Sequence, residues 1–512
     1  MQDKSVFNPN NWTKLAPKIA LFWVFVGAIA RVVQYLSNRS LWVDEVNLAA
    51  NIIKRSYGEL AEPLSSSQAA PLGFLWLEKL ATQLWGNSEY ALRLLPFLAS
   101  LISLVVFYLL VRRYCSTWAV PIAIALFASG RYTLYFATEL KPYSSDVAIA
   151  LSLFWVLLPA QHRLLQRREL FKIGCLGSLA IWLSYPSVLV LAALEGWNLL
   201  TASWKSWRKI ILNRSTVYLA WLINFGLFYA ISISAALADE DLSSNWEERY
   251  PSSFGDILWL FDALGRFFYH PMGFVGITDG IGIFAFILGC VGLYRRQRQI
   301  FLALIAPFVV NLIAAYLQQY PFRDRLVLFL APLGMIIVAE GIVFMLTQFS
   351  RLSRLKRSQP LRILWLILGC VCLVSLTTPG IYRTISYMFS PQLKHEVRPV
   401  LEYVAAENQP GDKIYVYTDG VPAFNYYLRL KGYQDLDYVY GKARYAYNDD
   451  SLEERHQRLT QELQSLKGRQ VWFILRAKGT EKDEILQGLD RLGQLRESFV
   501  HTGASAYLYQ LD

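Results

Sequence analysis

The side chains of this chain that could do chemistry gather at one kind of place, the ends of long apolar runs. The first group is Asp44 and Glu45 in RSLWVDEVNLAANI (39–52), which follows the first such run. The others are Arg31 late in that run; Glu139, Lys141, Tyr143 and Asp146 in TELKPYSSD; His270 in FYHPMGF; and Arg323, Asp324 and Arg325 in YPFRDRL. A charge within a membrane or at its edge is costly, so it is usually paired, set in a wet cavity, or functional. Carboxylates gathered beside fixed cations suggest a general base working near a bound phosphate. Each residue also has a plainer reading. Asp44 could cap a helix starting near Val46 and favour its positive end, and Glu45 could be a solvated helix residue. Lys141 and Asp146 could snorkel at the top of a span, Arg323 and Asp324 could form a local ion pair, and His270 alone reads as structural.

The elements that must position these residues follow from composition. The chain has 512 residues, 54% of them hydrophobic and only 17% charged, where a soluble protein carries about a quarter charged residues. The apolar runs explain the deficit, since a bilayer is crossed by about 20 residues of helix. Eleven runs predict spans at roughly 17–36, 91–111, 117–136, 143–160, 171–184, 186–203, 216–238, 273–293, 300–317, 326–347 and 363–385. The fifth and sixth meet at Tyr185-Pro186 and are either one broken helix or two. Alternate loops are basic: Arg112-Arg113; Arg163, Arg167, Arg168 and Lys172; Lys205, Arg208, Lys209 and Arg214; Arg295, Arg296 and Arg298; Arg351, Arg354, Lys356, Arg357 and Arg362. The positive-inside rule places these loops and the N-terminus in the cytoplasm. It also puts every chemical candidate, and the C-terminal segment, on the opposite face. The net charge of +11 is mostly this cytoplasmic collar, and no nucleic-acid footprint follows from it.

The first run is too long for a signal peptide and contains Arg31 and Gln34. The five cysteines lie in or beside predicted spans, which excludes a disulfide framework and a metal knuckle. GIGIFA (280–285) mimics a dinucleotide fingerprint but lies in a span, without a strand–helix context.

Three pieces lie outside the membrane. The first outer loop, about 37–90, holds two stretches with the composition of interfacial helices, Val46 to Tyr57 and Pro71 to Leu84. A second outer loop runs from Asp239 to about Met272. Residues 388–512 alternate helix-like patterns (LKHEVRPVLEYVAAEN, SLEERHQRLTQELQSL) with strand-like ones (DKIYVYT, QVWFILR, ASAYLYQL), which argues for a small α/β domain. The expectation is a polytopic α-helical membrane protein over 1–387 with an extracytoplasmic α/β domain over 388–512.

The stretch from Arg31 to about Ser100 resembles the GT-C class of polyprenyl-phosphate-sugar-dependent glycosyltransferases. More narrowly, it resembles the bacterial family 39-like proteins related to protein O-mannosyltransferases and the lipid A aminoarabinose transferase. The resemblance rests on an Arg before SLWVDE, the acidic pair, QAAPLGFLWL and LWGNSEYALRLLPFLAS; ELKPYSSD and the basic motif at Arg323 extend it to about 20–350. Two departures stand out: Gln68-Ala69-Ala70-Pro71 where relatives often carry a His or a second Pro, and Lys141 where an Arg is frequent.

The resemblance implies transfer of a sugar from a polyprenyl-phosphate donor to an acceptor hydroxyl on a glycan, lipid or protein, with inversion, at the outer face of a bacterial inner membrane. It implies Asp44 as the base, seconded by Glu45, and Arg323, Arg325, Lys141 and more weakly Arg31 as cations opposing the leaving phosphate. Trp42 and Tyr143 are candidates to stack on a sugar ring, with Glu139, Asp146 and His270 as further substrate contacts. No cofactor is expected, although an outer Asp/Glu pair could bind a divalent ion. The competing classes are a lipid or sugar transporter, for which no repeat is visible, and a membrane-anchored assembly protein whose α/β domain does the work.

Overall fold

A computed structural model describes residues 9–237, 249–352, 359–442, 451–476 and 479–512. Arg354, Lys356 and Arg357 of the basic loops, and the start of the second outer loop up to residue 248, lie outside the described residues. Two compact units divide the chain. One comprises Met1–Ser37, Arg55–Ala81 and Arg93–Pro391; the other comprises Asn38–Lys54, Thr82–Leu92 and Gln392–Asp512. Two stretches of the first outer loop are thus grouped with the C-terminal residues.

The first unit is helical. Among the described residues seven helices are long and apolar enough to cross a membrane: Lys14–Leu36, Glu89–Tyr114, Tyr143–Ala160, Lys205–Ile233, Ile277–Tyr316, Asp324–Gln348 and Gln359–Phe389. Ala119–Ala128 and Arg131–Thr138, bent by 52°, make an eighth if counted as one span. Length and composition thus account for seven or eight spans and do not by themselves confirm the expected eleven. The predicted fifth and sixth runs form two separate short helices, Arg167–Leu183 and Ser187–Thr201, because Pro186 lacks the N–H that a continuous helix would need. The predicted eighth and ninth fall in Ile277–Tyr316, whose 40 residues would reach about 60 Å, twice the hydrocarbon thickness. Gln297 interrupts it with non-helical φ −146° and ψ 70°, so two helices meet there, amid Arg295, Arg296 and Arg298.

The Asp324–Gln348 span is the most enclosed of these helices, and small residues let a neighbour approach it. A Cβ on Gly341 would collide with the Ala285 carbonyl oxygen, and one on Gly289 with that of Ile337. This is how helices associate where lipid leaves no hydrophobic drive between them.

The second unit carries a five-stranded sheet, β1 (Lys413–Val416), β2 (Tyr438–Tyr440), β3 (Gln470–Leu475), β4 (Gly493–His501) and β5 (Ala504–Leu511), in the order β2-β1-β3-β5-β4. β1 pairs parallel with β2 and β3, while β5 pairs antiparallel with β3 and β4. β3 sits centrally, and its unbroken apolar run matches a strand covered on both faces. Val471, Phe473 and Leu475 pack on one side with Leu459, Leu463, Ile485 and Leu489. The helix Leu452–Leu463 starts with a capping box: the Ser451 Oγ accepts from the Glu454 amide at 3.3 Å, and a Glu454 carboxylate oxygen accepts from the Ser451 amide at 2.8 Å.

Candidate active site

The DE pair opens the helix Val43–Lys54. The helix begins earlier than predicted, since the Val46 amide already donates to the Trp42 carbonyl at 2.9 Å. Both carboxylates therefore fall in its first turn, where the helix dipole favours negative charge, but they are used differently. Glu45 is fully buried, not solvated, and its carboxylate accepts the Trp42 amide at 3.3 Å. It thus takes an N–H that the helix start would otherwise leave orphaned. Asp44 is half-buried.

The approach to this turn is pinned within the same unit. Glu396 accepts from the Ser40 amide at 3.1 Å and hydroxyl at 2.9 Å, the Tyr427 hydroxyl accepts from the Leu41 amide at 2.6 Å, and Arg398 donates to the Asn38 carbonyl at 2.6 Å. Trp42 has the Lys394 ammonium 3.1 Å from its ring centroid. One face of the ring predicted to stack on a sugar is therefore already occupied by a cation.

The remaining candidates lie in the first unit. Lys141 ends a tight turn in which its amide donates to the Glu139 carbonyl at 2.6 Å, and both side chains are buried. Its ammonium donates to Gln68 Oε1 at 2.6 Å. The two positions that depart from the family pattern are thus bonded to each other. Tyr143 starts the next helix; it is buried, with the Arg325 guanidinium 5.6 Å over its ring and Phe136 edge-on at 5.0 Å. Phe136 also contacts the His270 ring at 6.4 Å, and Tyr132 contacts it at 3.6 Å. Asp146, in the first turn of the same helix, is buried beside Ser184, Tyr185 and Tyr320.

His270 sits in the bend between Ile257–Tyr269 and the following span. Burial pushes its imidazole down to about 4; the guanidinium groups of Arg325 and Arg131 push the same way, against Asp324. The ring is therefore neutral near pH 7, and its Nδ1 makes no hydrogen bond among the described residues.

Two of the expected phosphate ligands have partners within the protein. Arg323 donates to Asp262 at 2.8 Å, and Arg266 binds the same carboxylate at 2.8 Å. The predicted local ion pair with Asp324 is replaced by this one, 61 residues away, while Asp324 pairs with Arg249 at 3.9 Å. Arg31 is fully buried and donates to the carbonyls of Gly27 at 2.9 Å and Ala128 at 3.4 Å, with Phe127 5.5 Å below. None of those contacts is with another candidate. Arg325, Tyr143 and His270 are thus brought together, whereas Arg31 and Arg323 are not.

Sequence reasoning passed over Asp262, Arg131, Arg383 and the fully buried Glu78, whose carboxyl oxygens make no hydrogen bond among the described residues. For Arg131 and Arg383 the signal was present, since each is a charge inside a predicted apolar run. Among the described residues, no three His, Cys, Asp or Glu side chains converge as a metal ion would require.

Residues 69–233 match the model of the dolichyl-phosphate-mannose-protein mannosyltransferases. No curated protein sequence matches the chain. Among solved structures, the chain is similar to ArnT from Cupriavidus metallidurans bound to undecaprenyl phosphate, with a TM-score of 0.51 and 13% identity over 98% of this chain and 99% of that one. It is also similar to the oligosaccharyltransferase of Archaeoglobus fulgidus in its apo form, with a TM-score of 0.51 and 10% identity over 95% of this chain and 74% of that one. At such identities these two likenesses establish the fold, which is that of the GT-C membrane glycosyltransferases, and residues 69–233 add a sequence match to the mannosyltransferase family.

Proposed function

We propose that this chain transfers a hexosyl or pentosyl group from its polyprenyl-phosphate carrier to an acceptor hydroxyl on a glycan, lipid or protein, at the extracytoplasmic face of a bacterial inner membrane. The acceptor oxygen attacks the anomeric carbon as its proton passes to the Asp44 carboxylate. The bond from that carbon to the phosphate oxygen breaks on the opposite side, and its electron pair leaves with the polyprenyl phosphate. The product is therefore inverted. Arg325 and Lys141 oppose the charge gathering on the departing phosphate, and Arg323, held by Asp262, contributes less. Glu45 shapes the helix that presents Asp44. Neutral His270 serves as a hydrogen-bonding contact, not as a cation. The reaction as proposed uses no cofactor, and activity unchanged after exhaustive chelation is the expected result.

The observation that carries this reading is the division of labour in the DE pair. Glu45 is buried and accepts an amide at the helix start, whereas Asp44 in the same turn is half-buried and so remains within reach of a substrate. The test is mass spectrometry of lipid co-purified with the Asp44→Asn chain. A polyprenyl phosphate carrying a sugar, which wild type turns over and the variant retains, supports the reading. Loss of that lipid from a folded variant, or equal turnover by both, overturns it.

A further inference from the structure

The first unit contains a small pocket, about 90 Å³, where the bend after Ala128, the loop after His270 and the Gln359–Phe389 span meet. Arg131 and Arg383 line it from segments 252 residues apart, and its walls include Leu126, Phe274, Met335 and Pro379. The two guanidinium groups are half-buried and close enough to repel each other. Among the described residues neither is paired with a carboxylate. Asp324, the acidic side chain near Tyr132, is engaged by Arg249 at 3.9 Å, and Arg131 otherwise lies over the Tyr132 ring at 5.3 Å. Two like charges gathered in a partly desolvated pocket are unfavourable unless an anion joins them. Arginine pairs suit phosphate oxygens, which they bind through two parallel N–H groups. The volume is well under the roughly 300 Å³ at which small-molecule sites usually begin. It admits one compact anion, not a sugar ring with its phosphate. Leu126, Met335 and Pro379 belong to apolar helices and Phe274 to the loop beside them, which suits an anion carried on an acyl or prenyl chain.

We propose that Arg131 and Arg383 form a phosphate-binding pocket for a lipid headgroup, one that holds its lipid without reacting with it. None of the candidate acids or bases for sugar transfer lines the pocket, so its role is retention, and this inference does not rest on the proposed reaction.

Native mass spectrometry of the full chain released from detergent, offered dioleoyl phosphatidic acid or dioleoyl phosphatidylcholine, tests it. Wild type should retain phosphatidic acid. Arg131→Gln with Arg383→Gln should lower that retention about tenfold or more, as expected for losing charge-assisted hydrogen bonds, and Arg131→Lys with Arg383→Lys should recover most of it. Gel filtration and thermal melting confirm that each variant is folded, and Asp44→Asn should retain the lipid as wild type does, whatever becomes of sugar transfer. Undiminished retention in the Gln pair, or equal loss of phosphatidylcholine, overturns the site. Displacement of the lipid by millimolar inorganic phosphate alone overturns the lipid headgroup as its ligand.

Discussion

Replacing each member of the DE pair separately should split stability from catalysis. Glu45 is fully buried and its carboxylate accepts the Trp42 amide. Glu45→Ala removes a helix-start acceptor, at about 0.5–2 kcal/mol, and strands a backbone N–H, at about 1–3 kcal/mol when buried. The two overlap, because they concern the same bond, so a loss of about 2 kcal/mol is expected. Glu45→Gln keeps an acceptor oxygen and should lose less. Asp44 is half-buried, and Asn is nearly its shape, so Asp44→Asn should change stability by no more than about 0.5 kcal/mol. Its rate should nevertheless fall about 10²–10⁴-fold, which is about 2.7–5.5 kcal/mol of barrier at 1.36 kcal/mol per decade. The assay pairs thermal unfolding in detergent with transfer from a short-chain polyprenyl-phosphate sugar under saturating donor. The signature is a folded, donor-retaining, nearly inactive Asp44→Asn beside a less stable but active Glu45→Gln. An active Asp44→Asn would refute the reasoning, as would an inactive Glu45→Gln of wild-type stability.

Arg325→Ala should raise the KM for donor about tenfold or more, whereas Arg323→Ala should do less because that side chain is bonded to Asp262; donor titrations of both variants check this. His270 is neutral when folded, with its folded value at about 4 against 6.5, so the unfolded chain binds the extra proton between those limits. The stability due to the neutral ring is therefore complete above pH 6.5 and lost as pH falls toward 4, by up to about 3 kcal/mol. His270→Phe should flatten that part of a melting-temperature profile. Gly341→Leu would drive a side chain into the Ala285 carbonyl and should cost about 3 kcal/mol or more, seen as aggregation or a large fall in melting temperature, while Gly280→Leu, with no atom near its Cβ position, should melt close to wild type.

What was legible in the sequence was local, and what was not depended on partners. The apolar runs located the helices because length and hydropathy report burial directly. The number of spans was harder to read, because Pro186 separates two short helices and a non-helical Gln297 divides one long apolar helix in two. In the second unit, QVWFIL and ASAYLYQL were read as strands because both are almost wholly apolar and buried. The helix Val421–Lys431 and the edge strand Gly493–His501 were passed over, since their exposed faces dilute the pattern. Charges were visible as anomalies, but Arg323 with Asp262, Lys141 with Gln68 and Arg131 with Arg383 are joined only by the fold. Sequence proximity suggested Asp324 for Arg323, and that was the wrong carboxylate.

The DE pair shows how much further a local pattern could have been taken. Successive helix residues are turned by about 100°, so two adjacent carboxylates cannot share one environment. Glu45, Leu48, Ala49 and Ile52 are all fully buried and stand at i, i+3, i+4 and i+7, the spacing of a single helix face. Glu45 is therefore the polar member of an otherwise apolar buried stripe, and such a group persists only if something satisfies it; the Trp42 amide does. Asp44 falls off that stripe. Its position in the first turn stabilises negative charge, and partial exposure leaves it reachable by a substrate. A base that must be ionised before it can accept a proton, and must be reached by the acceptor, is better served by Asp44's partly exposed position than by Glu45's buried one. The same two letters in the opposite order would have placed the shorter carboxylate on the buried stripe and the longer one off it. The variant Asp44→Glu with Glu45→Asp should therefore lose both the reach to Trp42 and the placement of the base, falling below either single replacement by its longer or shorter homologue in activity and stability alike.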